Sequence, residues 1–450
     1  MLALLDTATG EVAPLEPRVP GQLSVYLCGP TVAGVPHLGH ARVNLVWDGL
    51  RRYLTWTGLH VHFVSNVTDI EDKIIAKAEE EGTCTEDVAA RYEALWRETM
   101  ARLGIEAPDD VPHATAYVEQ MVALVGELVR RGAAYEAGDG VYFSTDAVPG
   151  YGLLARQDPA TLRSGARVDA GEAGKRSPLD FVLWKYAKTG EPAWTSPWGL
   201  GRPGWHTECV VMSLDLLGEG FDLHLGGLDL SFPHHENERA QAVAAGYTFA
   251  RRWAHNGMLV DEQGEKMSRS VGNGMSLPEL LDRYDARVLR YLVLQTHYRS
   301  PMSVSEESLE SARGAVRRLD NFAWETRDLP PAAADAEVVE RFKGRLDDDF
   351  DTPGALAVLM GAVRAARGST EHAPALAAAV RECCERALGL ALRARAADLD
   401  REVAALVAER DGARASRDWG RADSIRSQLA AMGYAVEDGP AGTVVRHEGA

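Results

Sequence analysis

Residues 22 to 66 constrain the fold more than any other stretch of this chain. Gln22 to Cys28 is an apolar run of strand length, Gly29 to Pro36 is rich in glycine and proline, an amphipathic segment runs from His40 to Trp56, and Leu59 to Asn66 is a second apolar run. In that order they make a βαβ unit, which implies two parallel strands and places ligands at the carboxyl edge of their sheet. His37-Leu38-Gly39-His40 falls where the first strand turns into the helix. A helix N-terminus offers unpaired N–H groups and the positive end of a dipole, and Gly39 lets a nucleotide approach the backbone, so the stretch suits phosphate. Taken alone, two histidines three residues apart are more often surface or packed side chains than catalytic ones.

The chain has 450 residues, more than one core usually organises, so two to four domains are expected. Residues 1 to 21 are broken by Asp6, Glu11, Glu16, Arg18 and several prolines, and do not read as a leader peptide. No later run is long and apolar enough to span a bilayer. Five scattered cysteines argue against a disulfide framework and for a cytoplasmic protein. A net charge of −18 excludes wholesale electrostatic adhesion to nucleic acid, and leaves such a partner to local arginine clusters. These are Arg313, Arg317 and Arg318; Arg381, Arg386, Arg393 and Arg395; and Arg414, Arg417, Arg421 and Arg426. Each cluster alone is better read as a solvated helix face.

Beyond the βαβ unit, helical spacing marks Glu71 to Glu81, Glu86 to Leu103 and Ala114 to Arg131. Ala134 to Phe143 reads as a hairpin about Gly138-Asp139-Gly140, and Gly150 to Ser177 as an irregular insertion. The α/β pattern resumes with a helix at Trp205 to Leu217, a strand at Phe221 to Gly227, a helix at His234 to Ala245 and a strand pair within Arg252 to Val260. A polar loop, Lys266-Met267-Ser268-Arg269-Ser270, follows, and from Leu277 the chain reads as helical, with a hinge at Pro330 to Ala334. Glu402 to Met432 reads as a helical hairpin and Ala435 to Arg446 as a β-hairpin. There is no internal repeat.

Two sets of residues carry chemistry. His234 and Glu238, at i and i+4 of one helix, can present two ligands to one ion, and Cys28 and Cys209 can converge on them where strands end. Two thiols, an imidazole and a carboxylate suit zinc; buried structural thiols are the plainer alternative. His235 is expected on a different helix face, and Cys84, Cys383 and Cys384 are assigned to packing. Lys266, in a loop between a glycine turn and two serines, can fold over a triphosphate, although such a pentapeptide alone also fits an ordinary solvated loop.

Together these motifs resemble the class I aminoacyl-tRNA synthetases, and the resemblance narrows to the cysteinyl-tRNA synthetase family. Its two signatures appear as His37-Leu38-Gly39-His40 and Lys266-Met267-Ser268-Arg269-Ser270. More specific are Cys28-Gly29-Pro30-Thr31-Val32, Gly201-Arg202-Pro203-Gly204-Trp205-His206-Thr207-Glu208-Cys209 and Phe232-Pro233-His234-His235-Glu236-Asn237-Glu238. Asn66-Val67-Thr68-Asp69 and Trp253-Ala254-His255-Asn256-Gly257 fit as well.

The resemblance implies a Rossmann-like parallel-sheet catalytic domain (residues 1–115 and 201–258) with a connective insertion (116–200). A signature-loop subdomain (259–305), an all-α bundle that binds the anticodon stem (306–395) and a small α/β anticodon-binding subdomain (396–450) follow. It implies activation of L-cysteine by ATP, with Mg2+, to cysteinyl adenylate, and transfer to the 3' end of tRNA(Cys) bearing the anticodon GCA, by a cytoplasmic monomer. By carry-over His37, His40 and Lys266 are catalytic. Gly39, Asp229, Lys266, Met267 and Ser268 bind ATP, with Asp229 on the ribose. Thr31, Thr68 and Trp205 surround the amino acid. Cys28, Cys209, His234 and Glu238 hold one zinc ion, to which the substrate thiol binds as thiolate; rejection of serine by about 10⁴ without an editing domain follows by analogy.

Four departures stand out: Ala33-Gly34 where the family has Tyr-Asp, Leu225 in place of the first glycine of Gly-Gly-Gly, Arg269 for lysine, and Val210-Val211 where small residues are usual. Two other readings are open. One is a cysteine ligase that passes cysteine from the adenylate to an amino sugar, as in mycothiol synthesis; the other is a zinc-stabilised nucleotide-binding regulator. The synthetase-like continuation after Ala334 disfavours the first, and retention of His37, His40 and Lys266 the second.

Overall fold

The structure is a computed structural model that describes residues 1–156, 174–260, 276–393, 401–439 and 442–447. The chain forms two units, Met1–Ala286 with Val293–Val304 and Arg345–Pro353, and Arg287–Leu292 with Ser305–Gly344 and Gly354–Ala450.

The first unit opens with an antiparallel hairpin, β1 (Ala3–Asp6) and β2 (Glu11–Pro14), which no sequence pattern announced. Then comes the expected βαβ unit: β3 (Gln22–Leu27), α1 (Leu38–Trp56) and β4 (His60–Ser65), the strands parallel with Val25 opposite Phe63. Both strands are fully buried over their last three residues, as expected of parallel strands covered on both faces. Leu38, Ala41, Leu45, Val46 and Leu50 give α1 its buried face. Trp47 is fully buried there, and its Nε1–H donates to Gly226 O at 3.3 Å.

Arg42 is a buried cation of α1 whose guanidinium donates to the carbonyls of Met258 (2.7 Å), Tyr298 (3.3 Å) and Ser300. Burial lowers its pKa to about 10, which leaves it charged at neutral pH. One side chain thus ties α1 to the chain at Met258 and at Tyr298 to Ser300.

Helices α2 (Asp72–Glu81), α3 (Thr85–Arg102) and α4 (Val118–Arg130) follow. Next comes an antiparallel sheet of β5 (Ala134–Ala137), β6 (Gly140–Phe143), β7 (Phe181–Tyr186) and β8 (Gly201–Pro203), in that order. The expected hairpin is therefore half of a four-stranded insertion. Only residues 157–173 of the expected irregular segment lie outside the described residues.

The α/β pattern resumes with α5 (Trp205–Leu217), β9 (Leu223–Gly227), α6 (Glu236–Ala245), β10 (Trp253–Asn256) and β11 (Leu259–Val260). The parallel sheet has the order β10-β9-β3-β4. From β3 the chain first winds to β4 on one side, then returns to β9 on the other. The carboxyl ends of β3 and β9 therefore flank a switch point, the usual crevice for a ligand in such sheets.

Three expectations are corrected. The strands within Arg252 to Val260 do not pair with each other: β10 lies parallel to β9, and β11 parallel to Met302–Ser303. The helix expected from His234 begins at Glu236, because Phe232 takes an extended conformation (φ −142°, ψ 134°) and Ser231–His235 forms a wider turn. Cys84 is exposed at the N-cap of α3 rather than packed; Cys383 and Cys384 are buried as expected.

Leu277–Arg283 and Ala286–Leu294 precede the strand Met302–Ser303. The second unit draws on the helices Glu306–Glu325, Ala336–Asp347, Thr352–Arg367 and Ala373–Glu382. It ends in a helical hairpin, Arg401–Ala415 and Trp419–Ala431, and an antiparallel pair, Tyr434–Gly439 and Gly442–His447, around Val403, Ile425, Leu429 and Val436. Several clustered arginines are paired at the surface, Arg313 with Glu310, Arg386 with Glu382, Arg421 with Glu409, and Arg414 and Arg426 with Asp438. No helix among the described residues is long and apolar enough to cross a membrane.

Candidate active site

The start of α1 is capped by its own signature. His37, in extended conformation (φ −126°, ψ 173°), accepts the Gly39 N–H at Nδ1 (3.1 Å), and its own N–H donates to Nδ1 of His40 (3.2 Å). This is a capping box built from two imidazoles in place of the usual hydroxyl and carboxylate. The rings stack, 3.7 Å between centroids at 17°. Because both Nδ1 atoms accept from the backbone, each neutral ring carries its proton on Nε2. A Cβ on Gly39 would stand 2.9 Å from His37 Cε1, so any other residue there would crowd the His37 ring.

These residues line a cleft of about 610 Å3, together with Val43, Gly227, Asp229 and Asn256-Gly257-Met258. Asp229 stands exposed after β9. At the floor, the Gly29 N–H donates to Asn66 Oδ1 (2.8 Å), and a Cβ on Gly29 would lie 1.6 Å from Asn66 O. The loops after β3 and β4 can close this tightly only with glycine at that point.

Cys28, at the same floor, belongs to a buried cluster. Its Sγ is 3.7 Å from Cys209 Sγ and 3.5 Å from Glu238 Oε1; Cys209 Sγ is 3.7 Å from His234 Nε2, which is 3.0 Å from Glu238 Oε1. Tetrahedral zinc with Zn–S of about 2.3 Å sets two sulfurs about 3.8 Å apart, and a sulfur and a nitrogen about 3.5 Å apart. The donors are soft enough and close enough for that ion, and the edge between His234 and Glu238 is the shortest. His206 Nδ1 lies 2.9 Å from His234 Nδ1 and so aims the His234 Nε2 at the sulfurs.

A second donor set shares Cys28 and Glu238 and adds His224 and His235. His235 Nε2 is 3.2 Å from Cys28 Sγ and His224 Nε2 is 2.8 Å from Glu238 Oε2. The expectation that His235 faces elsewhere is corrected: the wide turn at Phe232 changes the helical phase and brings both adjacent histidines inward.

Burial governs the titration of the cluster. It raises the Cys28 thiol well above its usual range and the Cys209 thiol to about 12, and it lowers His234 and His235 well below theirs and His206 and His255 to about 3. Such thiols ionise only when a cation sits beside them.

Around this floor, Thr31 and Thr68 form a parallel bridge, and Thr68 Oγ1 bonds the buried carboxyl of Glu208, which burial holds well above the carboxylate range. Trp205 stacks on His234, 4.1 Å between centroids at 19°, and is 37% exposed, enough to form a wall of the cleft. Sequence reasoning did not assign roles to Asn66, His206, Glu208 or Asn256. The polar residues at the carboxyl ends of β4 and β10 were open to the crevice rule; the others declare themselves only through burial. Lys266, Met267, Ser268, Arg269 and Ser270 lie outside the described residues.

Two of the departures are core positions. Leu225 is fully buried in β9, its carbonyl accepting the Cys28 N–H at 3.3 Å, and Val210 and Val211 are buried in α5. Ala33 and Gly34 line the cleft.

Residues 14–314 match the family described as "tRNA synthetases class I (C) catalytic domain", and residues 396–446 match the "Cysteinyl-tRNA ligase anticodon binding domain". A cysteine–tRNA ligase of Halorhodospira halophila is 45% identical over 460 residues, covering 98% of this chain and 99% of that one. A cysteine–tRNA ligase of Pseudomonas aeruginosa is 44% identical over 460 residues, with 99% of each chain covered. Among solved structures, Mycobacterium tuberculosis methionyl-tRNA synthetase in complex with methionyl-adenylate superposes with a TM-score of 0.60 at 17% identity, over 81% of this chain and 89% of that chain. That likeness is one of fold.

Proposed function

Since the chain belongs to the cysteinyl-tRNA ligase family, we propose that it charges tRNA(Cys) with L-cysteine, through a cysteinyl adenylate made in the cleft above Cys28. The observation that carries this reading is that one cleft is lined both by the imidazole-capped start of α1 and by Cys28, a member of a buried set of two thiols, an imidazole and a carboxylate.

In activation, the cysteine carboxylate attacks the α-phosphorus of ATP, taken as its Mg2+ complex, and the bond to the bridging oxygen of pyrophosphate breaks. His37 and His40 donate from Nε2–H to phosphate oxygens as charge grows there, while Gly39 leaves room at the backbone. Asp229 accepts from the ribose. Lys266, Met267 and Ser268 accompany the departing pyrophosphate. Thr31, Thr68 and Trp205 enclose the amino acid, and Glu208, bonded to Thr68, fixes that hydroxyl.

Cys28, Cys209, His234 and Glu238 would hold zinc. The ion would supply a sulfur-preferring contact that separates cysteine from serine. In the second step the 3'-terminal ribose hydroxyl of tRNA attacks the carbonyl and AMP leaves. We assign residues 306–395 to the anticodon stem and 396–450 to the anticodon, in a protein that works as a cytoplasmic monomer. Transfer to an amino sugar has no observation in its favour.

The test is charging by the purified chain. ATP, cysteine and tRNA(Cys) should give cysteinyl-tRNA, with cysteine-dependent exchange of pyrophosphate into ATP. Exchange without charging would refute the tRNA assignment, and no exchange with zinc present would refute the enzyme.

A further inference from the structure

Lys73, the second residue of α2, is exposed and lines the cleft already described. Its place there is fixed from two sides. Ile74 packs with Val32 and Val67 in one small core, with Ala33 against it, so Lys73 belongs to the wall built by the loops after β3 and β4. Asp72, on the other side, pairs with Lys185 of β7 (2.6 Å) and with Arg202 of β8, so α2 begins against the sheet of the insertion. Thr31 and Thr68 precede these same loop segments and bridge to each other, which sets Lys73 on the amino-acid side of the cleft.

No structural role accounts for a cation at this point. In the first turn of a helix it opposes the dipole. Among the described residues no carboxylate lies within ion-pair distance of its ammonium, because the acids around it are committed elsewhere. Glu71 accepts the Lys73 backbone N–H (2.7 Å), Asp69 accepts from the Thr115 N–H (2.9 Å) and hydroxyl, and Asp72 holds Lys185 and Arg202. An uncommitted ammonium is a point charge suited to phosphate. In a chain of net charge −18, such local cations are the means of meeting a polyanion.

We propose that Lys73 binds the phosphodiester backbone at the 3' end of the tRNA and so brings the terminal ribose to the adenylate. This rests on the reading that the chain charges tRNA. Lys73 takes no part in making the adenylate.

The experiment has two arms. In Lys73→Gln, cysteine-dependent pyrophosphate exchange should stay within about two-fold of the parent. In charging, kcat/KM for tRNA(Cys) should fall about ten-fold, near the low end for a hydrogen bond to a charged group. The slope of log kcat/KM against log salt should become shallower by about 0.7, the value for one phosphate of a single strand. Lys73→Arg keeps the charge and should charge to within about three-fold of the parent. The second arm needs no turnover: acetylation of Lys73 by a trace of acetic anhydride, read by mass spectrometry. Full-length tRNA(Cys) should protect Lys73, and the same tRNA without its single-stranded 3' end should not.

A parallel loss of exchange and charging in Lys73→Gln would overturn the proposal, since it would put Lys73 on ATP or cysteine. So would unchanged charging with an unchanged salt slope, or equal protection by the shortened tRNA. If the unaltered chain exchanges pyrophosphate but charges no tRNA, it is the functional reading that fails, and protection alone decides whether Lys73 meets the acceptor end.

Discussion

Cys209→Ser separates the two donor sets, because Cys209 belongs only to the set with His234. The substitution keeps the side chain's shape but replaces a donor 3.7 Å from both Cys28 Sγ and His234 Nε2 with a hydroxyl that does not ionise at neutral pH. Losing an outer partner of a metal site costs about 10–100-fold in affinity, so losing a direct ligand should cost at least about 100-fold, or about 2.7 kcal/mol. His235→Asn removes a donor of the other set and should leave one zinc per chain. The assay is metal content after dialysis against a graded chelator, followed by cysteine-dependent exchange on the same samples. Cys209→Ser should lose zinc at a chelator concentration at which the parent and His235→Asn keep it, and lose exchange in parallel. Full retention in Cys209→Ser with loss in His235→Asn would refute the assignment and favour the set with His224.

His206→Ala should weaken zinc retention by about 10–100-fold without removing a ligand, since it frees the His234 ring that His206 orients at 2.9 Å; the same chelator series reads it. Gly29→Ala, with its Cβ placed 1.6 Å from Asn66 O, should destabilise by about 3 kcal/mol or more, seen in urea unfolding, and lower exchange because the cleft floor opens. The pH dependence follows from His206 and His255, whose folded pKa of about 3 lies below the unfolded value of about 6.5. Their contribution is complete above about pH 6.5 and is lost as pH falls toward 3, because unfolding takes up a proton at each. Metal-free protein should lose about 2 kcal/mol per histidine between pH 7 and 5; a flat profile would show that these rings are not held neutral.

The parallel sheet was legible because Gln22 to Cys28 and Leu59 to Asn66 are apolar runs separated by a helix of clear period. Short strands with distant partners were not: β8 has three residues, and β11 pairs across more than forty positions with Met302–Ser303, which no local pattern encodes. In the site, the convergence of Cys28 and Cys209 could be argued from where strands and helices end. The inward turn of His235 could not, because it depends on one extended residue, Phe232, that interrupts helical phase. Glu208 and His206 were visible as residues but not as partners, since their roles are set by burial.

The imidazole cap on α1 also decides which nitrogens reagents can address. Acylating reagents need an unprotonated imidazole nitrogen; in both His37 and His40 that atom is Nδ1, already engaged by a backbone N–H, while Nε2 carries the proton. Both rings should therefore resist an electrophile for as long as the first turn of α1 stays closed. The rate at which a bulky electrophile labels these two side chains would thus report how often the helix start opens.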